Sequence, residues 1–140
     1  MNRKTARENA FILLFEKSFS NETELSEIYD LAIENEIVSD SEFVKTLAFR
    51  AWENLESIDA VIEKYAKGWK LSRISKVALA VLRMAICEML YFEDIPVGVS
   101  INEAVELSKG YEDAKVVSFI NGVLGAFYRG EIDKNAEEES

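Results

Sequence analysis

The sequence predicts an all-α fold, and three observations carry that prediction. Only one proline, Pro96, occurs in 140 residues, which is too few for the many turns of a sandwich or barrel. Apolar residues recur at i, i+3, i+4 and i+7 along most of the chain, the period of a helix buried on one face. The strongest hairpin signal, Asn121-Gly122 between Phe119-Ile120 and Val123-Leu124, reads better as helix. A hairpin there would leave two five-residue strands, KVVSF and VLGAF, with no sheet to join, and two strands alone are marginal in water. As helix, Val116, Phe119, Ile120, Val123, Leu124 and Phe127 form one unbroken stripe.

The elements follow in order. Residues 5–19 place Ala6, Ala10, Leu13, Leu14 and Lys17 on one side, with Phe11, Phe15 and Phe19 one helical row away. A second helix over about 24–35 carries Leu25, Ile28, Tyr29 and Ala32. Ser39 with Glu42 three residues on forms a capping box for a third helix from 40. Ser57 is the expected cap of IDAVIEKYAKGW, which Gly68 ends. A long helix over 73–92 is apolar around more than half its circumference, the pattern of an element at the centre of a domain. Pro96 forces the chain extended just before it. Ser100 and Glu103 then form a second capping box for a helix stopping near Gly110, and the last helix runs over about 113–128. Gly122 and Gly125 cost that helix about 1 kcal/mol each relative to alanine, which predicts a tight crossing against a neighbouring helix.

This makes one helical domain of about seven helices over 1–130. Residues 131–140 form an acidic tail without apolar periodicity, expected to be disordered. No apolar run has the length of a membrane span and no signal peptide is read. The single cysteine, Cys87, lies in an apolar run and reads as a small buried hydrophobe. A cytoplasmic protein is expected.

The net charge of −10 opposes indiscriminate binding to nucleic acid, but the cations are not evenly spread. Residues 1–7 hold Arg3, Lys4 and Arg7, and residues 64–87 hold Lys64, Lys67, Lys70, Arg73, Lys76 and Arg83. Neither stretch contains an acid. Such islands are either solvated helix faces or partner surfaces. Arg83 sits in the most apolar helix and needs a counter-charge, for which Glu88 and Glu103 are the candidates. There is no histidine, no phosphate-binding glycine loop and no nucleophile elbow. The chain is not read as an enzyme, and no metal or other cofactor is expected.

Four segments carry a family resemblance. They are ARENAFILLF, then AVLRMAICEML, then IPVGVSINEAVELSK, then FINGVLGAF. Leu82-Arg83, Glu88, Ile95-Pro96, Ile101-Asn102-Glu103-Ala104, Leu107, Lys109, Phe119, Asn121-Gly122 and Leu124 stand in order and at fitting spacing. The chain thereby resembles the NusB family of bacterial transcription antitermination factors. The resemblance implies about seven helices in two sub-bundles. It also implies a partner, the small-subunit ribosomal protein NusE, and joint binding of boxA RNA in nascent ribosomal transcripts within the antitermination complex of RNA polymerase. Some relatives are monomers and others dimerise through the RNA face, so a homodimer is among the expected assemblies. The competing reading is a protein-interaction adaptor with little RNA affinity of its own.

Carried onto this chain, the resemblance places RNA contacts at Arg3, Lys4, Arg7, Phe15, Lys115 and Phe119. Lys115 stands where some relatives have an acid, and Ala78 where relatives have a charged residue on the NusE side. Arg73 and Lys76 of the second island are the expected partner-binding residues. Phe15 admits two readings. Eleven residues, about three turns, separate it from Lys4, so both project from nearly one line and the ring could stack on an unpaired base. Alternatively it is core, since it shares a row with Phe11 and Phe19.

Overall fold

The structure is a computed structural model and describes residues 2–133. Those residues form seven α-helices and no strand: α1 (Arg3–Lys17), α2 (Leu25–Glu34), α3 (Glu42–Glu53), α4 (Leu55–Tyr65), α5 (Lys76–Tyr91), α6 (Val97–Ser108) and α7 (Ala114–Phe127). A 3₁₀ turn, Leu71–Arg73, leads into α5, and a π-helical turn, Tyr128–Asp133, follows α7. No helix among the described residues is long and apolar enough to cross a membrane.

The helices arrange as two sub-bundles around one shared element. α1 packs on α2 and α3, while α7 packs on α4 and α6. α5 touches α1, α3, α4, α6 and α7, and every residue from Ala78 to Met89 is buried. This is the central helix its all-round apolar pattern predicts.

Three buried polar groups on α5 are satisfied by four neighbouring helices. Arg83 reaches α4, where its Nε and Nη2 donate to Asp59 Oδ1 and Oδ2 at 2.8 and 2.9 Å. The expected partners, Glu88 and Glu103, are therefore both wrong. Residues five apart on a helix diverge by about 140°, so Glu88 points away from Arg83. Glu88 instead accepts from Arg7 of α1, with Nη2 to Oε1 at 2.6 Å and Nε to Oε2 at 2.9 Å. Its Oε1 also accepts from Ser100 Oγ of α6 at 2.8 Å. Cys87 lies 3.8 Å from the Leu47 carbonyl oxygen of α3, and burial pushes its thiol pKa up to about 12.

Several helix starts differ from expectation, each for a local reason. The cap of α3 is Ser41, whose Oγ accepts from the Val44 N–H at 3.4 Å, not Ser39. Tyr29 holds the preceding segment: its hydroxyl donates to Asp40 Oδ1 at 2.6 Å and accepts from the Ser41 N–H at 3.4 Å. α4 starts at Leu55 directly after α3, so Ser57 lies inside its first turn and donates to the Asn54 carbonyl at 3.0 Å. The helix stops at Tyr65, and Gly68 turns the chain at φ 84°, a conformation glycine adopts without strain. α5 starts at Lys76 rather than 73, capped by Ser75, whose Oγ accepts from the Ala78 N–H at 3.1 Å.

The second capping box is also absent. α6 begins at Val97 immediately after Pro96, leaving Ser100 inside the first turn with its hydroxyl on Glu88. The expected crossing at Gly122 is absent too. A Cβ there would meet nothing within 4 Å, and one at Gly125 would meet only the Arg129 side chain at 3.2 Å. Residues 131–133, assigned from sequence to the tail, belong to the π-helical turn. Glu131 Oε1 accepts from Lys64 Nζ at 2.9 Å and from the Tyr65 hydroxyl at 2.8 Å. Residues 134–140 lie outside the described residues.

Candidate nucleic-acid interface

α1 opens on Asn2, whose side chain accepts from the Thr5 N–H at 2.8 Å. Its first turn holds cations and no acid, which opposes the helix dipole and adds nothing to helix stability. Arg3 is exposed and lies over the Phe43 ring at 4.1 Å. Lys4 is exposed at the edge of a cavity of about 410 Å³ that Glu8, Glu103, Glu106 and Tyr111 also line. The Lys109 ammonium, 2.7 Å from Glu106, holds that carboxyl below the usual carboxylate range. The Tyr111 hydroxyl donates to Glu8 Oε1 at 3.2 Å, and burial together with the Glu8 charge raises its pKa. Lys4 thus stands among carboxylates.

Arg7, expected from the resemblance to contact RNA, has a structural partner in this chain. It is 5% exposed and its guanidinium is engaged by Glu88. It faces the core rather than solvent, because position 7 is on the same side of α1 as Ala6 and Ala10, which are buried. It joins α1 to α5 and also borders the cavity beside Lys4.

Phe15 is half-buried and belongs to a continuous aromatic row. Ring centroids run from Tyr111 to Phe11 at 4.8 Å, Phe11 to Phe15 at 6.0 Å and Phe15 to Phe19 at 4.9 Å. The row surfaces at its two ends, where Tyr111 and Phe19 are exposed. Lys76 closes the Phe19 end, with Nζ 5.2 Å from that ring and donating to the Ser18 carbonyl at 3.2 Å. The expected partner residue Lys76 therefore adjoins the α1 surface rather than forming a separate one.

Lys115 and Phe119 lie on α7, which Asp113 caps by accepting from the Val116 N–H at 3.0 Å. Both line a cavity of about 510 Å³ together with Arg73, Ile74, Ala78 and Trp69. Ser75, also in that lining, donates to Glu112 Oε1 at 2.9 Å. Since Ser75 and Lys76 are adjacent, the start of α5 joins this cavity to the aromatic row of α1. The structure thus brings Arg73, Lys115 and Phe119 around one cavity, with Lys76 beside it at the Phe19 end of the row that holds Phe15. It leaves Arg3 over α3 and Lys4 beside α6. Sequence reasoning missed Phe19, Trp69 and Tyr111. Trp69 carried a signal: an aromatic between Lys67 and Lys70, outside every apolar stripe.

The model of the NusB family matches residues 4–129. The chain belongs to the NusB family. Among NusB relatives, the transcription antitermination protein NusB of Acetivibrio thermocellus is 42% identical, covering 99% of this chain and 100% of its own. The protein of the same name from Clostridium perfringens strain SM101 is 44% identical over 92% of this chain and 98% of its own. The structure of NusB from T. maritima superposes with a TM-score of 0.85 at 31% identity, covering 99% and 98% of the two chains. A crystal structure of antitermination factors NusB and NusE in complex with double-stranded RNA matches with a TM-score of 0.80 at 29% identity over 91% of this chain and 96% of that one.

Proposed function

We propose that this chain is a transcription antitermination factor that binds boxA RNA jointly with NusE, within the antitermination complex of RNA polymerase. Family membership gives the class of function. The observation that supports the RNA face is the grouping of Arg73 and Lys115 with Phe119 around one cavity, with Lys76 against Phe19 next to it at the start of α5. Cations that track phosphates beside rings that stack on bases are the means by which single strands are held. The relative solved with NusE and RNA supports a joint mode of binding.

The second reading is an adaptor that binds NusE and contributes little to RNA affinity. The carboxylates around Lys4 and the net charge of −10 favour it. Gel shifts with a boxA oligonucleotide, with and without NusE, separate the two. The RNA reading expects a tighter complex when both proteins are present, and a logarithmic salt slope flattened by about one unit in Lys115→Gln. A NusE complex whose affinity for RNA equals that of NusE alone would leave the adaptor reading.

A further inference from the structure

We infer that Trp69 and Phe119 form a pocket for one unpaired nucleobase of bound RNA, with Arg73 and Lys115 as its phosphate contacts. This rests on the RNA-binding reading and goes beyond it by naming a subsite and a new residue, Trp69.

Trp69 is 48% exposed. It lies in the connection between α4 and α5, where Gly68 reverses the chain and the Trp69 N–H donates to the Ala66 carbonyl at 3.0 Å. The turn itself uses that backbone group, and the indole packs on Phe119. Single exposed apolar side chains are ordinary, and this chain has others, among them Phe19 and Leu31. What sets Trp69 apart is that it adjoins a second ring and cations that make no ion pair among the described residues. The indole centroid is 5.6 Å from that of Phe119, with the rings inclined at 59° rather than stacked. Trp69 also lines cavities on two sides: the 510 Å³ cavity with Phe119, and one of about 500 Å³ with Gly68, Lys70, Ser72 and Arg73. Both are within the ~300–1,000 Å³ range of small-molecule sites.

Charge decides the occupant. The charged side chains lining the Trp69–Phe119 cavity are Arg73 and Lys115, with no carboxylate among the lining residues. Lys70 flanks it through the neighbouring cavity. Within residues 64–87, Lys64 pairs with Glu131 and Arg83 with Asp59. Lys67, Lys70 and Arg73 make no ion pair among the described residues. An apolar face made of two aromatic rings in mutual contact, rimmed by cations that make no ion pair among the described residues, suits a base that stacks on its outer side and is carried on a polyanion. An apolar side chain of a protein partner would leave those cations unmatched. Ser118 in the lining provides a hydroxyl for the base edge, while that of Ser75 is already engaged by the Ala78 N–H and Glu112.

The test uses the full chain with NusE and a boxA oligonucleotide. Base–aromatic stacking strengths imply that Trp69→Ala weakens RNA binding about 5- to 150-fold, while Trp69→Phe retains most of the affinity. RNA should quench the fluorescence of the parent chain and not that of Trp69→Phe. Arg73→Gln should flatten the logarithmic salt slope by about one unit. Thermal melts and NusE affinity of each variant, measured alongside, should match the parent. RNA affinity unchanged in Trp69→Ala, with Lys115→Gln still weakened, would overturn the pocket and leave the RNA reading standing. Lost NusE affinity with intact RNA affinity would show that the cavity takes a protein side chain, again overturning it. If the parent chain adds nothing to the RNA affinity of NusE, the pocket and the RNA reading fall together.

Discussion

Arg7 and Glu88, 81 positions apart in sequence, meet in the core with two guanidinium nitrogens on two carboxylate oxygens. Both side chains are nearly inaccessible, at 5% and 1% exposure. Removing one partner of such a pair strands a buried charge and costs about 3–5 kcal/mol. Arg7→Ala should therefore lower the urea unfolding midpoint by that equivalent, and the double variant Arg7→Met/Glu88→Met should recover most of it. Its RNA salt slope should equal the parent's. A stable Arg7→Ala protein with a flattened slope would show that Arg7 meets phosphate after all.

Ser100 stabilises α6 through Glu88 and not through its own helix end. Ser100→Ala should cost about 1 kcal/mol in the parent chain and almost nothing in a Glu88→Met background. Equal losses in both backgrounds, measured by denaturant unfolding, would restore the capping explanation.

Gly122 is helical, exposed and open-sided. Gly122→Ala should therefore raise stability by about 0.5–1 kcal/mol, because alanine costs less order than glycine in a helix. A lower melting midpoint would mean that space around this residue is needed in the free protein.

Cys87 provides a pH signature. Its folded pKa of about 12 stands above its ordinary 9.0, so the unfolded chain releases the thiol proton first. The associated stability is fully present below pH 9 and is lost progressively as pH rises toward 12. The slope is at most about 1.4 kcal/mol per pH unit. Stability measured at pH 8 and pH 10.5 should fall less for Cys87→Ala than for the parent. A thiol reagent at pH 8 should label Cys87 only as fast as the protein unfolds, and rapid labelling would contradict the burial.

Helix existence was legible because it depends on periodicity, which α5 and α7 display without interruption. Helix ends were less so. Ser39, Ser57 and Ser100 each sit at a position that a capping rule selects, yet Tyr29, the near-fusion of α3 with α4, and Glu88 respectively decide what they do. These are tertiary partners that local sequence cannot show. The same holds for charges. Arg83 was recognisable as a buried cation needing a partner, but Asp59 lies on a separate helix. Arg7 matched a basic motif while its position on the inner side of α1 removed it from the surface. Phe15, Lys115 and Phe119 entered the candidate site by resemblance alone. Trp69 escaped because no stripe contains it, although its basic neighbours were in plain view.

The shared position of α5 also shapes the birth of the protein on the ribosome. Arg7 emerges 81 residues ahead of Glu88, so at ~5–20 residues per second it waits about 4–16 s for its counter-charge. During that interval α1 has neither its ion pair nor its contacts with α5, although its other partners, α2 and α3, have already been made. Completion of the N-terminal helix's packing is thereby tied to synthesis of the second half of the chain.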